Sequence, residues 1–166
     1  MSAPALVLVG PMGAGKTRVG KRVARLLETA FADTDKMVVA EHGPIAALFA
    51  EHGEPYFREL ERAAVVRALG GDGVVSLGGG AVLDATTRAD LSGLPVVLLT
   101  VSPRAVEGRL GEGKRPLIRD GVNDWERIYA ERKDLYEEVA DLVVDTSFRP
   151  FDAIAEEVAA WVRTTA

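Results

Sequence analysis

The sequence predicts an α/β fold with a parallel sheet covered by helices on both faces. Three observations carry that prediction. Short runs rich in Val and Leu alternate along the chain with stretches of helical period, the pattern of repeated strand–helix units. Most of these runs are continuously apolar, as strands buried on both faces must be. The first run leads straight into a glycine loop, ALVLVGPMGAGKT at 5–17, in which Gly10, Gly15, Lys16 and Thr17 fill every fixed position of G-x-x-x-x-G-K-[ST].

Each element has its own warrant. Strands are expected at Leu6–Val9, Phe31–Ala32, Val74–Leu77, Val96–Val101 and Leu142–Val144. A helix over Arg18–Glu28 places Val19, Val23, Leu26 and Leu27 on one side. Helices over Pro44–Ala50 and Glu54–Leu69 follow, the second with Phe57, Leu60, Ala64 and Val65 at helical spacing. His42-Gly43 and His52-Gly53 read as helix C-termini, where imidazole suits the dipole. Ser102-Pro103 reads as an N-cap and first helical position, Asn123 with Glu126 as a capping box, and Pro150 as the start of a last helix reaching Trp161. Trp125 and Trp161 read as packing residues. The chain is expected to be one domain over 1–166, with no repeat or linker.

Composition narrows the class. Hydrophobic residues make up 48% and charged residues 27%, ordinary for a globular protein, and the net charge of −5 argues against a general nucleic-acid surface. Without cysteine there are no disulfides and no thiolate metal sites. No stretch has the length of a membrane span, and the N-terminus lacks a basic leader before its apolar run, so a cytoplasmic protein is expected.

The glycine loop specifies a chemistry. Glycines let successive N–H groups of Gly13, Ala14 and Gly15 turn inward as an anion nest, and the following helix adds its positive end. Lys16 supplies a point charge for β- and γ-phosphates, and the Thr17 hydroxyl can ligate Mg²⁺. In such sheets ligands sit beyond the carboxyl ends of the strands. Those ends carry Asp33-Thr34-Asp35, Gly78-Gly79-Gly80 and Asp145-Thr146-Ser147, with Arg104 and Arg109 on the helix after the fourth strand. Asp33 and Asp35 admit two readings: a metal carboxylate with a proton acceptor, or an N-cap cluster. Asp145, after a hydrophobic run, is a rival metal carboxylate. Gly111–Asn123 is glycine-rich, without helix or strand period, and carries Lys114, Arg115 and Arg119; it reads as a lid that closes over transferring phosphate and excludes water. Arg58 and Glu61, three apart on one helix face, and Arg132 read by default as surface charges.

Together these residues resemble the shikimate kinase family. The resemblance rests on GPMGAGKT at 10–17, DTD at 33–35, FRELE at 57–61, LGGGAV at 77–82, KRPL at 114–117, ERKDLYEEVAD at 131–141 and VDTS at 144–147. It implies a three-layer P-loop fold with a five-stranded parallel sheet in order 2-3-1-4-5, which puts Asp145 on an edge strand and disfavours it as the metal carboxylate. It implies ATP as co-substrate, Mg²⁺ held by Thr17 and, through water, by Asp33, and phosphorylation of the shikimate 3-hydroxyl on the route to chorismate. Asp35 would be the catalytic base. Arg58 and Arg132 would grip the substrate carboxylate, beside the Gly79 and Gly80 backbone, with Glu61 orienting Arg58. Region 35–61 would hold the substrate, and Arg115 would reach from the lid to both phosphate and substrate. Arg109 and Arg149 would lie against adenine. A monomer that binds neither nucleic acid nor membrane is implied.

Three other classes share part of this pattern. A gluconate kinase-like enzyme has the same loop but a different acid, and the Arg58–Arg132 clamp discriminates it. A GTP switch would use D-x-x-G, which Asp90–Gly93 matches, but no Asn-Lys-x-Asp guanine reader occurs. A nucleoside monophosphate kinase rests on fold analogy alone.

Overall fold

The computed structural model describes residues 2–109 and 121–165. Five parallel strands, β1 (Leu6–Val9), β2 (Phe31–Asp33), β3 (Val74–Ser76), β4 (Val96–Thr100) and β5 (Leu142–Asp145), form one sheet in the order β2-β3-β1-β4-β5. The helices are α1 (Lys16–Leu26), α2 (Thr34–His42), α3 (Ile45–His52), α4 (Glu54–Leu69), α5 (Ala85–Asp90), α6 (Pro103–Glu107), α7 (Gly121–Val139) and α8 (Phe151–Thr165), with a 3-10 turn at Ala81–Leu83.

The continuous apolar runs have a direct explanation in two cores. Leu6 and Leu8 of β1, with Val97 and Leu99 of β4, point to one face and pack on Val19 and Val23 of α1 and Ile154 and Val158 of α8. Val7, Val9, Val96 and Leu98 point to the other face and meet Val65 of α4, Val82 and Leu91. Successive strand residues face opposite sides, so a strand covered twice is apolar along most of its length, with buried Ser76 only at the end of β3. A third, smaller core of Val38, Leu48, Phe57 and Ala64 holds α2, α3 and α4 together. Helix α7 spans both large cores: Trp125 belongs to the first and Tyr136 to the second.

The register sets the site. Leu8 pairs with Ser76, and Ser76 pairs with Asp33. The three strands therefore end level, and the segments that follow them open into one crevice.

Several expected boundaries shift. Asn123 is no cap, since α7 already begins at Gly121; residues 121–123 of the expected lid are its first turn. The remaining lid residues 111–120, Lys114, Arg115 and Arg119 among them, lie outside the described residues. Helix α5, capped by Asp84 through Thr87 N–H, was not anticipated. The Ser102–Pro103 start of α6 and the glycine-terminated ends of α2 and α3 are as expected.

Candidate active site

The glycine loop runs from β1 into α1. Gly15 caps α1 at φ 92° with no side-chain hydrogen bond, which leaves the N–H groups of the first turn facing the loop. A Cβ at Gly15 would come within 2.7 Å of the Phe151 ring, so a side chain is excluded both by backbone and by space. Lys16 Nζ donates to Gly10 O at 2.6 Å and Pro11 O at 3.1 Å, laying its charge across the loop. A cleft of ≈ 460 Å³ opens here, and Gly13, Lys16, Thr17, Asp33, Asp35 and Gly79 are among the residues that line it.

The capping reading of Asp33 holds, and the same side chain also meets the phosphate loop. One carboxylate oxygen accepts from Lys36 N–H at 3.2 Å and caps α2, while the other accepts from the Thr17 hydroxyl at 2.8 Å. Asp35 does not share an extended segment with Asp33, because α2 has already begun at Thr34; it reaches the cleft from the first helical turn instead. Buried Thr34 locks the arrangement by accepting the Gly78 N–H at 2.9 Å.

Hard oxygen donors suit Mg²⁺, which takes one or two protein ligands and completes its octahedron with water and phosphate oxygens. The Thr17–Asp33 pair, at the lip of the phosphate loop, fits that demand. Among the described residues no group of three His, Cys, Asp or Glu side chains could hold a metal alone. Asp145 stands on edge strand β5, where it accepts from Ser147 N–H at 2.8 Å and from the Thr100 hydroxyl at 3.3 Å. Partial burial works to raise its pKa, but these hydrogen bonds and nearby Arg109 outweigh it and hold the carboxyl below its usual range.

Arg58, Glu61 and Arg132 are not surface charges. Glu61 is 3% exposed and Arg132 5%. Arg58 binds Glu61 at 2.9 Å and grips Glu54 with two further nitrogens at 3.2 and 3.1 Å. Burial holds the Glu61 carboxyl above its usual range; the Arg58 charge offsets this in part, and the Asp35 charge adds to it. Gly78 is the glycine the carboxylates need: a Cβ there would collide with Asp35 and lie 2.8 Å from Glu61. At Gly80 a Cβ would strike the Arg58 guanidinium. Arg58 and Gly80 line a neighbouring cavity of ≈ 230 Å³, so the glycine turn is the shared wall between it and the cleft.

Arg109 forms the far wall. Its guanidinium donates to Gly13 O, Thr146 Oγ1, Thr146 O and Ser147 O at 2.6 to 3.2 Å, and stands 5.1 Å from the Phe151 ring centre. Arg149 does not line the cleft; it pairs with Glu157 at 2.8 Å. Phe151, which the sequence reading passed over, takes the wall position two residues on. The only sequence signal was an aromatic after Pro150. Trp125 also does more than pack: its indole N–H donates to Met12 O in the phosphate loop at 2.8 Å.

A family model described as shikimate kinase matches residues 12–163. The chain belongs to the shikimate kinase family. It is 47% identical over 165 residues to the shikimate kinase of Salinispora arenicola, covering 95% of this chain and 97% of that one. To the shikimate kinase of Streptomyces coelicolor it is 44% identical over 162 residues, 94% of each. The solved structure of the Acinetobacter baumannii shikimate kinase in complex with shikimate superposes with a TM-score of 0.92 at 29% identity, over 99% of this chain and 95% of that one. Membership in the shikimate kinase family makes the chain a P-loop kinase, and the sheet order expected from the resemblance is the one observed.

Proposed function

We propose that this chain transfers the γ-phosphoryl group of ATP to the 3-hydroxyl of shikimate, giving shikimate 3-phosphate and ADP. The observation that carries the reading is the meeting of Lys16, the Thr17–Asp33 pair and Asp35 in one cleft, beside the buried Arg58–Glu61–Arg132 cluster. ATP lies with its phosphates on the N–H groups of Gly13, Ala14 and Gly15 and its base toward Arg109 and Phe151. Lys16 neutralises charge on the β- and γ-phosphates. Thr17 and Asp33 are the residues that would hold Mg²⁺, which when bound would supply neutralisation of the charge on the transferring phosphoryl group.

The acceptor lies against Gly79 and Gly80, its carboxylate on Arg58 and Arg132. A planar guanidinium offers the two parallel donors a carboxylate needs, which an ammonium does not. Asp35 takes the hydroxyl proton as the oxygen forms its bond to the γ-phosphorus and the bond to the ADP oxygen breaks. Arg115, which lies outside the described residues, is the cation that the family resemblance assigns to phosphate and substrate. The enzyme works in the cytoplasm as a monomer.

A coupled ADP-release assay with shikimate, gluconate and nucleoside monophosphates as acceptors tests the reading. Turnover is expected with shikimate alone, with the phosphate on the 3-oxygen by phosphorus–proton NMR. No turnover with shikimate overturns it. Light scattering across a concentration series tests the monomer.

A further inference from the structure

Two carbonyls of the site are held from behind by one helix. Trp125 Nε1 donates to Met12 O at 2.8 Å, and Tyr136 Oη donates to Gly79 O at 2.6 Å. Both side chains are buried, at 2% and 1% exposure. They stand about three turns apart on α7 and within about 20° of each other around its axis, at 100° per residue. Tyr129 lies between them, and the three rings stack in series at 5.3 and 6.2 Å between centres. Arg132 shares this face and reaches the Tyr136 hydroxyl. Burial pushes the Tyr136 phenol up to about 12, so it stays a donor throughout the working pH range.

The consequence follows from peptide geometry. A trans peptide points its C=O and N–H in opposite directions, and the described chain holds no cis bond. Fixing Met12 O on Trp125 turns the Gly13 N–H away from the indole. Fixing Gly79 O on Tyr136 turns the Gly80 N–H away from the phenol, at a residue whose Cα side faces the Arg58 guanidinium. One peptide thus belongs to the phosphate loop and the other to the acceptor wall.

We infer that Trp125 and Tyr136 are positioning residues, with Trp125 orienting the Gly13 peptide for nucleotide phosphate and Tyr136 orienting the Gly80 peptide, and Arg132, for the acceptor. The inference rests on the assignment of the cleft to ATP and the glycine turn to shikimate. Wild-type turnover with shikimate is therefore measured first and tests that assignment by itself.

The two variants give a crossed signature that a packing role would not. Tyr136→Phe keeps the ring and deletes one donor; the KM for shikimate is expected to rise about tenfold, the worth of one buried hydrogen bond, with the KM for ATP within a factor of about two. Trp125→Phe is expected to do the reverse. Equal changes in both constants, or a loss of thermal stability with both constants unmoved, overturn the inference. A third measurement needs neither variant to fold. In a Trp161→Phe background, emission reports Trp125 alone; ATP is expected to shift it in the absence of shikimate, and shikimate alone is expected to leave it in place. No shift with ATP overturns the role of Trp125.

Discussion

The Thr17 hydroxyl donates to the Asp33 carboxylate across 2.8 Å, joining the first turn of α1 to the end of β2. The same carboxylate caps α2 through Lys36 N–H, so the proposed metal role and helix capping fall on one side chain.

These uses separate by substitution. Asp33→Asn keeps an acceptor for the cap but loses the charge. The Mg²⁺ concentration for half-maximal activity should rise several-fold, with metal-free thermal stability nearly unchanged. Asp33→Ala should also cost about 1 kcal/mol from the lost cap. An unchanged Mg²⁺ dependence in Asp33→Asn would leave Asp33 with the cap alone.

Asp35 lines the cleft from the first turn of α2, with its carboxylate against Gly78. Asp35→Asn is expected to lower kcat by roughly 10²- to 10⁴-fold, the usual worth of a general base, and to leave ATP affinity, read by calorimetry, unchanged. Near-normal kcat would remove Asp35 from proton transfer.

Arg58 is held by Glu54 and Glu61 in a fork geometry. Arg58→Lys keeps the charge and loses the fork, so the KM for shikimate should rise about tenfold or more while the KM for ATP holds. Arg58→Ala should in addition lower the melting temperature, because it strands a buried Glu61 carboxylate. Equal KM values for wild type and Arg58→Lys would assign Arg58 to structure.

Glu61 carries a pH signature. Its carboxyl is raised in the folded chain, chiefly by burial, so the folded state holds its proton at pH values where the unfolded chain has released it. The stability this contributes is complete below the unfolded pKa of about 4.3 and is lost as pH rises through the folded value. Melting curves should show that downward slope in wild type and not in Glu61→Gln. Parallel slopes would point to another titrating group.

Much of this was legible in the sequence, for identifiable reasons. Strands covered on both faces leave unbroken Val and Leu, and the phosphate loop is a contiguous motif whose glycines are fixed by backbone geometry. Asp35, Arg58 and Arg132 could be named only through family resemblance, since spacing alone made Arg58–Glu61 a surface pair and Asp33–Asp35 equally a cap. The Trp125–Met12 and Tyr136–Gly79 contacts left no trace, because each joins residues far apart in sequence through an element whose helical period looked like ordinary packing. The position of Phe151 at the cleft wall, with Arg149 turned to Glu157, is of the same kind.

The Thr34–Gly78 bond has a consequence for transplantation. It ties the start of α2 to the turn after β3, across 44 residues of chain. A chimera that imports residues 34–61 from another kinase without a hydroxyl at its first position would leave the Gly78 N–H buried and unanswered. Residues 34–61 and the turn at 78–80 are therefore inherited as two strips cut together, and exchanging either one alone would be expected to lower the melting temperature of the chimera.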